Sequence, residues 1–439
     1  MKDIKISVLI TIHNAERYIK ECLDSVLAQT FPDIEILCID GGSTDRTPQI
    51  LRQYEAKDSR IRIINDPNTS YGHKVNRGIE EAEGEYISVL ESDDMYEAFM
   101  LEKLYEIAKQ YYPDFVNGDY TCFFDVKGKR FKEITKMYQK KDYNRLMENR
   151  KHPEEFGIIP RYWTGIFKKE YLEREQIRMN ESPGASYQDM SFRFLTSILA
   201  DTSYHVDLPV YLYRVDNPGS SMYDSKKTEV IADEHDFLKR ELEKRGITDP
   251  YIWRNAYQWK YTDFRGNMRH LRGKYRQELF QRYRQELEKD QEALKRYAEI
   301  GYNENVREMI TESPENMAEK IESESVAEKE RRERIYGFLG KLIGLPENQK
   351  IVIFGCGKRG KAVLDYLYSG SMEKRLYCFT DNSQSLWNMP LNGYQVLPPT
   401  EAVKAYGDAF YIIASKYHGD EIDSQLQNLG IKESNIYKF

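Results

Sequence analysis

In the N-terminal part of the chain, short apolar runs alternate with amphipathic ones. Ile4–Ile10, Ile34–Ile39, Ile61–Ile64 and Tyr86–Leu90 are nearly continuous apolar stretches, the pattern of strands covered on both faces. Between them apolar residues recur at helical spacing: Tyr18, Ile19, Cys22, Leu23, Val26 and Leu27, then a run opened by Thr47-Pro48, then Val75–Ala82. Asn14 stands where it can cap the first helix, and Pro48 suits the first turn of the second. Four strand–helix alternations predict an α/β fold with a mostly parallel sheet and helices on its faces.

The pattern then changes twice. Leu101–Tyr111 reads as a helix, Phe115–Val116 as a strand, and Tyr120–Phe124 with Lys129–Ile134 as a hairpin about Lys127-Gly128. Tyr162–Phe167 followed by Lys169–Glu175 reads as strand then helix, and Tyr211–Val215 as a further strand. From Lys226 to about Gly344 the chain is dense in Glu, Lys, Arg and Gln, with breaks near Gly246, Gly273, Gly301 and Pro314. That is a set of amphipathic helices whose aromatic stripe, Trp253 to Tyr283, is expected to pack inward. Beyond it, Lys350–Phe354, a glycine loop, Lys361–Tyr368 and Leu376–Thr380 repeat the strand–helix–strand pattern. The expected domains are 1–224, 225–345 and 346–439.

A length of 439 residues allows two or three domains, each with its own core. No apolar run approaches the roughly 20 residues of a membrane span, and MKDIKISVLI lacks a secretory pattern, so a cytosolic protein is expected. The basic-aromatic run Trp259–Arg284 leaves peripheral membrane contact as a secondary expectation. Five scattered cysteines without CxxC spacing argue against a disulfide framework or a zinc site. A formal charge of -7 disfavours a nucleic-acid partner.

Candidate chemistry gathers where strands end. Glu91, Asp93 and Asp94 follow the fourth strand, and three acids in four positions repel one another unless a cation sits among them. Mg²⁺ or Mn²⁺ takes such oxygens and shares them with substrate phosphates. An exposed acidic loop is the plainer explanation of these residues taken alone. Thr11 and Asp40 also lie at strand ends, and ligands of doubly wound sheets sit beyond those ends. Asp40, leading into Gly41-Gly42-Ser43-Thr44-Asp45, can accept the N3–H of uracil or bind a ribose hydroxyl. Farther on, Pro183–Gln188 delivers Asp189 at the start of an apolar helix, where local sequence alone makes it a helix cap. In the last domain Gly355, Gly357 and Gly360 form a G-x-G-x-x-G, with Asp381 ending the next strand 21 positions after Gly360. In that context the motif is a dinucleotide-binding fingerprint, with Asp381 on a ribose hydroxyl; the same glycines also permit tight packing with nothing bound.

SVLITIHNAERYIKECLDSVLAQTF, IEILCIDGGSTDRT and NRGIEEAEGEYISVLESDD, in that order, resemble the nucleotide-sugar half of a family 2 glycosyltransferase with the A-type glycosyltransferase (nucleotide-diphospho-sugar transferase) fold. The resemblance covers residues 4 to 215. It implies that Thr11 and Asp40 contact the nucleoside, Asp93 the ribose or metal shell, and Asp94 the metal and diphosphate. It implies an Mn²⁺ or Mg²⁺ cofactor, a nucleoside-diphosphate sugar donor, and a glycan or lipid-linked acceptor in cell-envelope or capsular polysaccharide. Asp119 stands at the family's usual sugar-facing position. Gln188-Asp189-Met190-Ser191-Phe192 is similar to its acidic-Asp-x-x-Phe motif, which makes Asp189 the base that deprotonates the acceptor. Tyr211–Ser221 resembles its closing Tyr-Arg-then-Ser segment, with Arg214 able to neutralise diphosphate or equally to pair with a structural acid. Three positions depart from the pattern: Thr11 for a frequent proline, Glu91 for an aspartate and Gln188 for a glutamate. The expected architecture is thus an α/β A-type catalytic domain, a helical middle and a small Rossmann-like C-terminal domain. That last domain has no room for a substrate domain of its own, so a nucleotide-sensing, docking or homo-oligomerising role is expected, with NAD or another nucleotide as candidate ligand. The rival readings are a nucleotidyltransferase of related topology, whose glycine-rich Arg/Lys loop TIHNAERYI lacks, and a non-catalytic scaffold.

Overall fold

A computed structural model describes residues 3–156, 160–185, 187–219 and 230–439. The chain divides into two compact units, residues 1–121 with 134–325 and residues 122–133 with 326–439.

The first unit opens with β1 (Ile6–Ile12), α1 (Ile19–Leu27), β2 (Ile34–Asp40), α2 (Thr47–Glu55), β3 (Ile61–Asn65), α3 (Tyr71–Glu81) and β4 (Tyr86–Glu91). Every residue of β1 and β2 is buried, as continuous apolar runs between two helical layers require. The four strands are parallel, in the order β3-β2-β1-β4. Their register sets Asp40 beside Ile12 and Glu91 beside Thr11. The predicted polar ends therefore share one edge.

The expectation that Asn14 caps α1 is corrected. Asn14 is left-handed at φ 49, and α1 starts five residues later with no side-chain cap. The Asn14 carboxamide oxygen instead accepts the Thr44 N–H at 2.8 Å, and the Asn14 backbone N–H donates to Ser43 Oγ at 2.8 Å. These bonds tie the loop after β2 to the end of β1.

Next come β5 (Met95–Tyr96), α4 (Met100–Tyr111), β6 (Phe115–Val126), β7 (Lys129–Thr135), β8 (Leu146–Met147), β9 (Gly165–Lys168), α5 (Lys169–Arg174), α6 (Asp189–Ile198) and β10 (Ser203–Arg214). The sheet becomes mixed past β4, because β9 runs antiparallel to β4 and β6 antiparallel to β9. Its order is β3-β2-β1-β4-β9-β6-β10-β5, with β7 on β6 and β8 on β10. Lys127 and Gly128 turn the β6–β7 hairpin in left-handed conformations.

Helices α7 (Val230–Lys244), α8 (Pro250–His270), α9 (Gly273–Tyr297) and α10 (Glu304–Thr311) follow, then the long α11 (Pro314–Gly344). The aromatic stripe is a packing face: Tyr257, Tyr261, Phe264 and Tyr283 are buried in one cluster with Met268 and Leu279. Lys260 is buried there too, 2.5 Å from Asp290 and also bonded to Glu286. No described helix is long and apolar enough to cross a membrane.

The second unit contains β11 (Ile351–Phe354), α12 (Lys358–Ser369), β12 (Leu376–Thr380), β13 (Pro390–Leu391), β14 (Tyr394–Leu397), α13 (Pro399–Ala405), β15 (Phe410–Ile413), α14 (Gly419–Asn428) and β16 (Ile436–Lys438). The sheet order is β13-β14-β12-β11-β15-β16, parallel except for β13. A Cβ on Gly360 would stand 1.9 Å from Gly355 O, so glycine is what lets α12 approach the loop after β11. The distal part of the β6–β7 hairpin packs within this unit: Phe124 lies 5.1 Å from Tyr336, Phe131 lies 6.5 Å from Tyr366, and Tyr366 OH donates to Glu133.

Candidate active site

At the end of β4 the chain delivers Glu91, Asp93 and Asp94 into three different environments. Glu91 Oε1 accepts the Tyr71 hydroxyl at 2.5 Å and the Tyr162 hydroxyl, and the two tyrosine oxygens are 2.7 Å apart. Its other oxygen takes a long 3.4 Å bond from Thr11 Oγ1. Burial pushes the Glu91 carboxyl up to about 7 against the pull of the two hydroxyls, and the charges of Asp93 and Asp189 add to the rise. Thr11 and Glu91 are thus brought together.

Asp94 is 1% exposed. It accepts the Tyr211 hydroxyl and the Arg214 backbone N–H, each at 2.7 Å. Desolvation, then the neighbouring Asp93 charge, holds it well above the usual carboxylate range. Asp93 is half-buried and accepts the Asn217 amide at 2.6 Å. The Arg214 guanidinium donates to the Asp93 carbonyl at 3.0 Å, pairs with Glu21 at 2.5 Å and Asp216 at 3.4 Å, and lies over the Tyr18 ring. Among the described residues no three His, Cys, Asp or Glu side chains are grouped closely enough to hold an ion by themselves. Two hard carboxylates with a surplus of negative charge nevertheless fit a divalent cation whose remaining oxygens come from a diphosphate. The residues that would hold it are Asp93 and Asp94.

Asp40 is 3% exposed at the end of β2, and its Oδ1 accepts the Ser43 N–H at 3.0 Å and hydroxyl at 2.7 Å. Asp119 sits inside β6, fully buried. It accepts Met137 N–H at 2.8 Å and Tyr143 OH at 2.6 Å, and pairs with Lys136 at 2.9 Å. Those bonds link Asp119 to the segment after β7.

Asp189 is the first residue of α6. Arg193, one turn on, donates to its Oδ2 at 3.3 Å and lies over the Trp259 ring at 5.0 Å. The Asp189 charge helps to raise Glu91, Tyr71 and Tyr162, so the start of α6 lies within electrostatic reach of the end of β4. The loop before Asp189 is held from both sides. Asn76 of α3 exchanges two 2.9 Å bonds with Met179, and Glu234 of α7 accepts Asn180 at 2.7 Å and Ser182 at 2.9 Å. Gln188 bonds the Ser182 and Gly184 carbonyls at 3.0 Å and so serves the loop itself. Ser186, Ser220 and Ser221 lie outside the described residues.

In the second unit Asp381 Oδ2 accepts the Cys356 N–H of the glycine loop at 2.9 Å, and Oδ1 accepts the Ser383 N–H. Gly355, Gly357, Gly360 and Asp381 are therefore brought together. Sequence reasoning missed Tyr71, Tyr162, Arg193 and Glu234. None carries a motif; only the helical spacing of Asp189 and Arg193 offered a signal.

Two family profiles match: glycosyl transferase family 2 over residues 7–172, and C2185-like, N-terminal, over residues 347–437. The chain is similar to the uncharacterized glycosyltransferase EpsJ of Bacillus subtilis, 31% identical over 222 residues, which are 49% of this chain and 62% of EpsJ. It is similar to an uncharacterized glycosyltransferase of Haemophilus influenzae, 31% identical over 188 residues, 43% of this chain and 69% of that protein. The chain thus spans less than two thirds of the length of EpsJ. In fold it is similar to S. aureus TarS 1-349 in complex with UDP-GlcNAc, with a TM-score of 0.50 and 19% identity over 63% of this chain and 79% of that one. At that identity the likeness concerns the fold alone.

Proposed function

The chain belongs to glycosyl transferase family 2, and from that premise we propose that it transfers a sugar from a nucleoside-diphosphate donor, of the UDP class, to an acceptor hydroxyl. The acceptor is a glycan or lipid-linked saccharide of the cell envelope or capsule, met at the cytoplasmic face of the membrane. One observation carries the reading: the Glu91 carboxyl at the end of β4, bonded by Tyr71 and Tyr162, lies within electrostatic reach of both Asp93 and Asp189. An acid able to take a proton and an acid able to hold a donor thus act on one carboxyl.

In this reading Asp189 takes the proton of the acceptor hydroxyl as that oxygen bonds to the anomeric carbon, while the bond from that carbon to the diphosphate oxygen breaks on the opposite face. A single displacement of this kind inverts the anomeric configuration. An aspartate is a weak base, so proton transfer comes late, when the hydroxyl has become acidic. Arg193 orients the Asp189 carboxylate. Thr11 and Asp40 take the nucleoside, Asp119 the sugar side, and Arg214 fixes the Asp93–Asp94 turn from which the donor is held. When bound, Mg²⁺ or Mn²⁺ on Asp93 and Asp94 supplies positive charge to the diphosphate.

For residues 346–439 the proposal is a Rossmann-like module. Asp381 already serves the glycine loop through Cys356, which favours docking or oligomerisation over recognition of an NAD ribose. Calorimetry with NAD and other nucleotides tests this, and binding of NAD would overturn it. For the catalytic unit, nucleoside-diphosphate release is screened against a panel of nucleotide sugars and saccharide acceptors, and the product's anomeric configuration is read by NMR. Release from a UDP-sugar with inversion supports the reading; a retained configuration overturns it.

A further inference from the structure

The segment that carries Asp189 to its place, residues 179–188, lies between two sets of helices. On one side α3 meets it by backbone: the Tyr71 N–H donates to the Gly184 carbonyl at 2.8 Å, and a Cβ on Gly72 would stand 2.0 Å from the Asn180 carbonyl oxygen, an approach that only glycine permits. On the other side α7 and α8 meet it by side chains. Glu234 of α7, 1% exposed, sets one carboxyl oxygen 2.7 Å from the Asn180 amide and 2.9 Å from the Ser182 hydroxyl. Its second oxygen is buried without a hydrogen-bond partner among the described residues. Tyr187, two positions before Asp189, is left-handed at φ 61, and its hydroxyl donates to the Asn267 side chain of α8.

Each of these features is unfavourable taken alone. A buried carboxyl with an unpaired oxygen is destabilising, and an apolar side chain would fill the same place at lower cost. Asn180 and Ser182 do not need it for their own sake, because both are half-buried and water can satisfy their groups. Burial pushes Glu234 up to about 7 against the pull of its two donors, and the Asp189 charge adds to the rise, so Asp189 is within electrostatic reach. A left-handed aromatic residue is strained and persists only where its surroundings impose that conformation. Both costs fall on one short segment, and that segment ends at Asp189.

We propose that Glu234 is a positioning residue for the transfer step: its carboxyl fixes Asn180 and Ser182 and, with Tyr187 anchored on Asn267, holds residues 179–188 in the one arrangement that presents Asp189 to the acceptor hydroxyl. The assignment rests on the reading of Asp189 as the base. It extends the working part of the enzyme beyond residue 172, where the matched glycosyltransferase profile stops, to α7 and α8. Glu234 acts through the segment alone. Its removal leaves the Asp189 carboxylate intact but lets the segment sample other arrangements, while the donor side, built on the ends of β1, β2 and β4, keeps its shape. A misplacement of about 1 Å lowers a rate by about a hundredfold. Gln at position 234 keeps the accepting oxygen and with it the clamp.

The test compares Glu234→Ala, Glu234→Gln and Tyr187→Phe with wild type as full chains, well below their melting temperatures, using the UDP-sugar and saccharide that give turnover in the donor and acceptor screen. The readouts are kcat, the KM for the UDP-sugar, UDP affinity by calorimetry, and hydrogen exchange of residues 179–188. Glu234→Ala is expected to lower kcat at least about tenfold and to quicken exchange in that segment, with UDP affinity and donor KM level. Glu234→Gln restores both kcat and protection. Tyr187→Phe, which keeps the ring and loses only the bond to Asn267, moves kcat and exchange in the direction of Glu234→Ala by less. The assignment is overturned if Glu234→Ala keeps the wild-type kcat, because a residue that only stabilises the fold lowers the melting temperature and leaves turnover of the folded protein intact. It is overturned equally if Gln fails as Ala does, or if UDP affinity falls in step with kcat. Should Glu234→Ala not fold, wild-type kcat and exchange in Tyr187→Phe overturn it. No turnover from any nucleotide sugar, or wild-type turnover in Asp189→Asn, overturns the base reading and this assignment with it, whereas loss of turnover in Asp189→Asn beside wild-type kcat in Glu234→Ala overturns this assignment alone.

Discussion

Replacing Asp189 by Asn separates a proton acceptor from a helix-start residue, because the two roles predict free energies of different size. The amide keeps the shape of the carboxylate and still accepts from Arg193, now 3.3 Å from Oδ2. What is lost is charge. The ion pair joins a side chain 25% exposed to one 9% exposed, a partly screened pair that contributes about 1 kcal/mol. Asp189 also sits in the first turn of α6, where a negative charge adds about 0.3–1 kcal/mol. The structural cost is therefore of order 1–2 kcal/mol, a melting shift of a few degrees. Loss of a general base costs about 10²–10⁴ in rate, which at about 1.4 kcal/mol per decade is about 3–6 kcal/mol in the barrier. Asp189→Asn is expected to lower kcat by at least about a hundredfold while UDP affinity by calorimetry stays level. The assays are nucleoside-diphosphate release at saturating donor, thermal melting and calorimetry on one preparation. Turnover within a few-fold of wild type, together with a lowered melting temperature, would refute the reasoning and leave Asp189 as a residue that merely starts a helix.

Three further outcomes are expected. Asp94→Ala should abolish Mn²⁺-dependent binding of UDP, with Asp94→Asn as the companion that keeps the side-chain shape beside Tyr211 and Arg214; a wild-type affinity indifferent to chelator, or metal-dependent binding kept in both variants, would count against the metal site. Glu234 is raised to about 7, chiefly by burial, so the folded state holds its proton longer than the unfolded chain. Its contribution is fully present below about pH 4.5 and is lost as pH rises to about 7, of order 3 kcal/mol in total. Glu234→Gln should therefore flatten the fall in melting temperature between pH 5 and 8, and an unchanged pH profile would remove Glu234 from that role. Gly360→Ala puts a Cβ 1.9 Å from Gly355 O, an overpacking worth about 1–3 kcal/mol or more. Hydrogen exchange should quicken in β11 and α12, and wild-type protection there would show that the loop yields without cost.

The parallel half of the sheet was legible because strands covered on both faces must be apolar throughout, as Val8–Ile10 and Leu37–Ile39 are. The convergence of Thr11, Asp40 and Glu91 followed from register, which is fixed once strand ends align. Side-chain partnerships across the fold were not legible. Asn14 looks like a cap because its neighbours are helical, yet its bonds go to Ser43 and Thr44, brought near only by the pairing of β1 with β2. Tyr71 and Tyr162 lie 91 positions apart and both donate to Glu91, and neither has a local pattern that announces it. The β6–β7 hairpin itself was visible in the sequence, but its grouping with the C-terminal unit depends on aromatic contacts more than two hundred positions away.

That grouping has a topological consequence. The polypeptide passes from one unit to the other after residue 121, after 133 and again after 325. A protease nick at the last of these frees residues 326–439 as a separate chain, which packing against residues 122–133 alone would still hold. Gene fusions that exchange residues 326–439 as a cassette would strand Phe124 and Phe131, both buried in the native chain, without Tyr336 and Tyr366. Tail and hairpin are thus bound to change together, as a lock does with its key.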